Sequence, residues 1–369
     1  MNARKFVAAV IGAVGIATFG GADARELRFN MFQPPRTLEA RIYDQFFAEL
    51  AKATNGSLTG KVFAGGQLLN APGTLKGIKD GVVDGGFVVP SLNLGELKHI
   101  AMVPDMLPWA TDSHAAAAAG LETILLDCEA CKKEQQDLNV WFFGGHGPTP
   151  WNIMCAKPVA SLAEFQGRKV RVTGSSATRM IRALGGVAVL LPPPEIGSAL
   201  SGGQIDCAVG PNAWLADYSL WDAVKQVIDI DIGVYHGLGL FVTNRKTFAT
   251  FTAQEKRAYI GLAAKYGVLA TDLYVEQQRE VREAAAKRGI QFWKPGKDFY
   301  DALAKFRAED LPRLADDFKA RGVADADRLM KQHLAAIAKW VKLVEKAGND
   351  RAALLKLIEG EIYGKVKYQ

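Results

Sequence analysis

Apolar positions along the chain change period in a regular order, and that order predicts the fold. Residues 27–32 form a strand-like run that Pro34-Pro35 bring to a stop. Leu38, Ile42, Phe46 and Leu50 then recur at intervals of four, which places them on one face of a helix over residues 37–52, with Asn55-Gly56 as its stop. A second strand is predicted over 60–63 and a helix over 71–79. A third strand over 85–89 is introduced by Gly81-Val82-Val83-Asp84 and closed by Pro90. Strand, helix, strand, helix, strand is the order of a parallel sheet with helical crossovers.

The same order returns from residue 169. A strand over 169–173 leads to a helix over 175–184 ended by Gly185-Gly186, a strand over 187–191 and a helix over 195–200. Gly203-Gln204-Ile205-Asp206 then introduces a strand that ends at Pro211. Ile78 and Leu200 each stand three positions before the glycine, and Asp84 and Asp206 three after it. These correspondences favour a pseudo-duplication, two α/β lobes built alike, over two unrelated βα units. Apolar runs over 151–156 and 237–243 flank the second unit, so each is placed to cross between the lobes. Thr252 and Glu255 form a T-x-x-E capping box, and no proline follows until Pro295, which predicts a helix long enough to lie across both lobes. Further helices are expected over 299–307, 324–347 and 351–362. The expected division is a first lobe over 25–150 and a second over 151–240, with 241–369 returning to the first lobe through the long helix and the C-terminal helices.

Composition removes several classes of protein. Of 369 residues 49% are hydrophobic, enough for a large core, and the 23% that are charged mix both signs, so no nucleic-acid partner is expected. Residues 1–24 read as a signal peptide: Arg4 and Lys5 precede an apolar stretch over 6–19, and Ala22-Asp23-Ala24 offers a cleavage site. Its removal subtracts two basic residues and one acidic residue, taking the formal charge from +6 to +5 over 345 residues. No later apolar run reaches the roughly 18 residues needed to span a bilayer. A soluble, exported protein is therefore expected, in an oxidising compartment where cysteines pair. Cys128 and Cys131 lie three apart on a helical stretch, where a bridge closes at low entropic cost. Cys155 and Cys207 sit in apolar strand-like runs and read either as a buried pair or as two small hydrophobes.

Signatures of catalysis are missing: there is no G-x-S-x-G elbow, P-loop, G-x-G-x-x-G or H-E-x-x-H. His99, His114, His146, His236 and His333 fall at spacings that suit no metal site, and neither metal nor cofactor is expected. Gly144-Gly145-His146-Gly147 reads as a turn leading into the crossing strand, with lining of the site as the alternative. Parallel α/β sheets bind ligands beyond the carboxyl ends of their strands, and in a two-lobed molecule those ends face each other across a cleft. The candidate lining residues are Phe32, Gln33, Ser91, Arg171, Thr173, Gly210, Asn212 and Trp214. Trp109 and Trp151 stand with Trp214 beside loops or crossing strands, placed to supply an apolar wall. Arg171 occupies an alternating position in the apolar run Lys169-Val170-Arg171-Val172, where a long cation is costly to bury unless it meets an anion. Its planar guanidinium matches a carboxylate as a bidentate pair. The alternative is an edge-strand arginine paired with a nearby acidic side chain.

Together, Gly167-Arg168-Lys169-Val170-Arg171-Val172, Ala183-Leu184-Gly185, Leu191-Pro192, Ser198-Ala199-Leu200 and Gly203-Gln204-Ile205-Asp206 form a recognisable set. It resembles the signature of the solute-binding proteins of tripartite ATP-independent periplasmic (TRAP) transporters, the C4-dicarboxylate-binding periplasmic protein family. Phe63 with Gly66-Gln67-Leu68, Gly81-Val82-Val83-Asp84 and Asp105-Met106-Leu107-Pro108-Trp109 resemble its first lobe, and Val242-Thr243-Asn244-Arg245 fits before the long helix. Gln67 joins the candidate site with that first-lobe motif. The resemblance covers nearly the whole mature chain. It implies a two-lobed α/β periplasmic binding protein, type II-like, that closes over an organic acid and delivers it to a membrane permease driven by an ion gradient. In the family, the arginine matching Arg171 forms the salt bridge to the ligand carboxylate.

Two departures from the family bear on the ligand. Many members have a glutamate and an asparagine just before the proline matching Pro211, where this chain has Val209 and Gly210, and no second arginine stands near Trp151. With a single cationic anchor in evidence, a monocarboxylate such as a 2-oxo, hydroxy or aromatic acid is expected, and Trp151 and Trp214 favour an apolar or ring-bearing tail. The alternatives are a secreted hydrolase or lyase using Asp84, Asp206 or His146 as acid–base groups, and a ligand-sensing partner of a membrane receptor.

Overall fold

The computed structural model describes residues 24–368, so the expected signal peptide lies outside the described residues but for its last position. In chain order the strands are β1 (Arg25–Met31), β2 (Leu58–Ala64), β3 (Gly85–Gly86), β4 (Val140–Phe142), β5 (Asn152–Cys155) and β6 (Lys169–Val172). They continue with β7 (Val187–Leu190), β8 (Cys207–Gly210), β9 (Gln226–Ile228), β10 (Val242–Asn244) and β11 (Gln291–Trp293). One sheet has the order β2-β1-β3-β10-β4 and the other β11-β9-β5-β8-β6-β7.

Each sheet contains the same kernel. β1 pairs in parallel with β2 and β3, and β6 in parallel with β7 and β8. An antiparallel strand follows on the far side, β10 against β3 in one lobe and β5 against β8 in the other. The duplication extends to single hydrogen bonds. The Asp84 carboxylate accepts the Arg28 amide (2.9 Å) and its own amide donates to the Arg28 carbonyl (2.8 Å). Asp206 does the same with Lys169 (2.8 and 2.7 Å). Gly81 and Gly203, three residues earlier, both take the left-handed conformation, with φ of 75° and 69°. Both aspartates therefore stand at the amino ends of the parallel strands, opposite to the carboxyl ends where the candidate residues lie.

Helix Leu38–Ala53 buries Leu38, Ile42, Phe46 and Leu50 as their spacing predicts. Helix Ala253–Lys287 opens with the Thr252/Glu255 capping box and runs 35 residues, about 50 Å at 1.5 Å per residue. It is tied to the first lobe by Lys265 on Glu49 (2.7 Å) and to the second by Arg282 on Asp229 (2.8 Å).

The crossing between lobes differs from expectation. β5 lies wholly in the second sheet and β10 wholly in the first, and the link is made by irregular segments that run side by side. Phe143 donates to Phe241 (2.9 Å), His146 to Gly237 (3.0 Å) and Trp151 to Gly233 (2.9 Å). Gly144-Gly145-His146-Gly147 is thus part of the crossing, not a turn ahead of it. A Cβ at Gly144 would run into the Phe241 ring and one at Gly147 into the Ser113 carbonyl, so glycine is what lets the segments approach.

The return also corrects the expected division of the chain. β11 pairs in parallel with β9, and Phe299, Leu303 and Phe306 of helix Lys297–Glu309 enter the second lobe's core. The long helix carries the chain to that end of the molecule before helices Leu311–Ala320, Ala326–Ala347 and Arg351–Glu361 bring it back onto the first lobe. Both cysteine pairs are bonded, Cys128 with Cys131 and Cys155 with Cys207, the latter joining facing residues of β5 and β8.

Candidate functional site

Where the carboxyl ends of the parallel strands face each other, residues of both lobes line a narrow cavity. Arg171 projects from β6 into its wall and is completely buried. Its Nε donates to the Leu191 carbonyl (2.8 Å) and its Nη1 to the Val209 carbonyl (3.2 Å), which fixes the plane of the guanidinium. Its Nη2 has no hydrogen-bond partner among the described residues. Burial pulls its pKa down to about 10, with the Tyr218 and Tyr235 phenols as opposing influences. It therefore stays a cation at neutral pH. The edge-strand alternative does not hold: β6 lies between β7 and β8, and Arg171 contacts carbonyls and aromatic rings.

Aromatic rings box in this cation. The Arg171 guanidinium carbon lies 5.2 Å from the Trp214 ring centre. Trp214 meets Trp151 at 5.6 Å, and Trp151 stacks on Tyr235 at 5.3 Å. A Cβ at Gly210 would come within 2.2 Å of the Trp214 ring. The glycine that departs from the family's pattern is thus what allows the indole to lie over the end of β8. The Trp151 indole nitrogen and both polar side-chain atoms of Asn212 are buried without a partner.

The opposite wall is acidic and comes from the first lobe and the spanning elements. Glu39, in the first turn of helix Leu38–Ala53, accepts from the Tyr274 hydroxyl (2.6 Å) and lies 3.5 Å from His146 Nε2. Burial pushes its carboxyl upward, but His146 and the Tyr274 hydroxyl outweigh that and hold it below the usual range. His146 in turn stacks on Tyr274 (5.6 Å, 10°).

Of the residues singled out in the sequence, Arg171, Gln33, Trp151, Thr173 and Trp214 line this one cavity. Ser91 lies in an adjoining, more open recess and links the lobes, its hydroxyl 3.1 Å from those of Thr173 and Tyr235. Phe32 is buried behind the wall, stacked on Phe87. Asn212 is fully buried beside Pro211, and Gly210 supports Trp214. Gln67 is exposed in the turn after β2, where Gly65 and Gly66 take positive φ, and does not line the cavity. Trp109 is spent on packing, donating to the Arg307 carbonyl (3.0 Å) and stacking on Phe306.

Glu39, Tyr235 and Tyr274 were not legible. Glu39 reads as an ordinary first-turn acid, and nothing local marks one face of a long helix as a cavity wall. His236 and His333 meet in the first lobe's core, Nε2 to Nε2 at 3.1 Å, and burial keeps both neutral, His333 with a pKa lowered to about 3. Among the described residues no cluster of three or more His, Cys, Asp or Glu side chains is placed to hold a metal, and no helix is long and apolar enough to cross a membrane.

Comparison with known proteins places this architecture. A TRAP solute-binding protein of Rhodoferax ferrireducens in complex with copurified benzoate matches with a TM-score of 0.76 at 20% identity, over 87% of this chain and 100% of that one. One from Bordetella bronchiseptica with bound (R)- and (S)-mandelate matches at 0.71 and 22%, over 85% and 99%. An extracytoplasmic solute receptor of Bordetella pertussis binding pyroglutamic acid matches at 0.71 and 23%, over 84% and 99%. The fold is that of these two-lobed proteins. At the level of sequence, residues 29–312 match the bacterial extracellular solute-binding proteins of family 7. With most of its length inside that match, the chain belongs to family 7 of the bacterial extracellular solute-binding proteins, which are receptors for solutes and not enzymes.

Proposed function

We propose that this protein is the periplasmic receptor of a TRAP transporter, exported by the segment over 1–24, that captures a small ring-bearing monocarboxylate between its lobes and hands it to a membrane permease. The observation that carries this reading is Arg171, a buried cation whose Nη2 is unpaired among the described residues and whose guanidinium lies against the Trp214 ring. A carboxylate would complete its hydrogen bonding in a bidentate pair, strengthened by exclusion of water. Gln33, Thr173, Trp151 and Trp214 would contact the remainder of the acid, with Ser91 and Asn212 in support. The benzoate, mandelate and pyroglutamate bound by the similar structures are acids of this size and class. Of the acid–base groups a hydrolase reading would use, Asp84 and Asp206 are engaged at the far ends of the strands, and His146 alone reaches the cavity, held against Glu39 and Tyr274.

The test is calorimetry with benzoate, mandelate and pyroglutamate on the wild-type protein and on Arg171→Ala. At least one acid should bind, and the variant should lose about 2–5 kcal/mol, the range for breaking a buried charge pair. Equal affinity of the two proteins for the acid that binds would remove Arg171 from the site.

A further inference from the structure

The cavity has two poles, and the second specifies more of the ligand than its carboxylate. Arg171 supplies the cationic pole from the second lobe; Glu39, only 3% exposed, supplies the anionic pole from the first. The two charges are not paired with each other: the Glu39 contacts go to Tyr274 and His146, and those of Arg171 to backbone carbonyls. Gln33 lines the same cavity from the first lobe, and its buried Oε1 accepts no hydrogen bond among the described residues.

We infer that the acid this receptor takes up carries a hydroxyl or ring N–H remote from its carboxylate, which donates to Glu39 and Gln33 while the carboxylate meets Arg171. This rests on the reading of Arg171 as the carboxylate anchor. An unsubstituted ring edge would leave the buried Gln33 Oε1 facing carbon and add nothing to the Glu39 carboxylate beyond Tyr274 and His146, whereas a protic group gives both a donor, and sites built around such a bond discriminate against analogues that lack it. A ligand of this kind also spans the gap between the lobes, so both of its polar ends are satisfied only when they close.

Calorimetry on the mature protein with matched acids tests this: benzoate against 3- and 4-hydroxybenzoate, and phenylacetate against its ring-hydroxylated forms. The wild type should favour at least one hydroxylated acid over its parent by about tenfold or more, the scale of one hydrogen bond to a charged group. In Glu39→Gln, where a neutral amide replaces the carboxylate, that ratio should shrink severalfold. Equal binding of parent and hydroxylated acids by the wild type, or an undiminished ratio in Glu39→Gln, overturns the inference. Arg171→Ala separates the two readings. If it weakens parent and hydroxylated acids alike while the wild-type ratio is near one, the anchor stands and the Glu39 pole falls; if it weakens neither, both fall.

Discussion

Asp217 sits behind Trp214 on the lobe that carries Arg171, and burial followed by the nearby Glu39 charge raises its pKa to about 7. Unfolded, the same carboxyl titrates near 3.8. The folded state therefore binds the proton more tightly, and the resulting stability is full below about pH 4 and lost as pH rises through about 7. Three units correspond to a contribution on the order of 4 kcal/mol. Asp217→Asn keeps the oxygen that accepts from Gln277 (3.1 Å) and removes the titration. In urea denaturation the variant should gain stability relative to wild type between pH 4.5 and 7.5, and a pH-independent difference would refute the assignment. Gly210→Ala tests a steric point: the new methyl must displace the Trp214 ring that faces Arg171. Acid affinity should fall by about tenfold or more while β8 keeps its pairing, readable by calorimetry beside far-ultraviolet circular dichroism. Arg171 was legible because a guanidinium in an apolar strand demands a reason. Glu39 was not, because acids in first turns are common, and only tertiary packing brings this one against His146 and Tyr274.

The repeated kernel was legible for a related reason. Gly-x-x-Asp performs the same local task twice, a left-handed turn followed by a carboxylate clipped to the neighbouring strand, so both copies carry the same residues at the same spacing. β4, β9 and β11 have three residues each and no periodicity to detect. Helix Ser113–Glu122 is alanine-rich and buried on all sides, which leaves no amphipathic stripe. Helix Ser175–Ala183 hides a further contact. Its N-cap, Gly174 at φ 80°, has no side chain, and the cap comes from Asp105 of the first lobe's helix Lys98–Asp105, which accepts from the Ser175 hydroxyl and the Ser176 amide (3.2 Å). Asp105→Ala should destabilise the protein by about 1–2 kcal/mol in urea, and no change would show that this helix end needs no cap. The disulfides should separate by loop length. Cys155–Cys207 closes 52 residues and Cys128–Cys131 only three, so chain entropy gives about 4 kcal/mol for the first and under about 2 for the second. Paired Cys→Ala variants compared in denaturant should show that order, and the reverse order would mean that chain entropy does not govern these bridges.

Two crossing segments, the long helix and the return through Asp310 join the lobes, which also meet through Asp105 with Ser175 and Ser176, Arg179 with Asp310 (2.7 Å) and Trp109 against Phe306, while the contacts beside the cavity are single hydrogen bonds. The Arg36 Nε donates to the Asp217 carbonyl (2.7 Å), and Ser91 meets Thr173 (3.1 Å). Such contacts hold a closed arrangement weakly, because each replaces a hydrogen bond that water would make in the open one. The buried charge of Arg171 opposes closure further, since shutting the cavity removes what solvent it keeps. An acid reverses that balance by neutralising the cation as the lobes meet, so binding and closure become one equilibrium. At a hundredfold excess over its dissociation constant the acid adds about 2.7 kcal/mol of stability. Spread over the unfolding entropy of a chain this long, that is a rise in Tm of roughly 4 °C. Arg171→Ala at the same acid concentration should show almost none, and small-angle scattering should show the wild type shrinking in radius of gyration as the acid is added. A rise in Tm with no change in radius would mean that the lobes already stand closed without ligand, and that the weak contacts between them outweigh the buried charge.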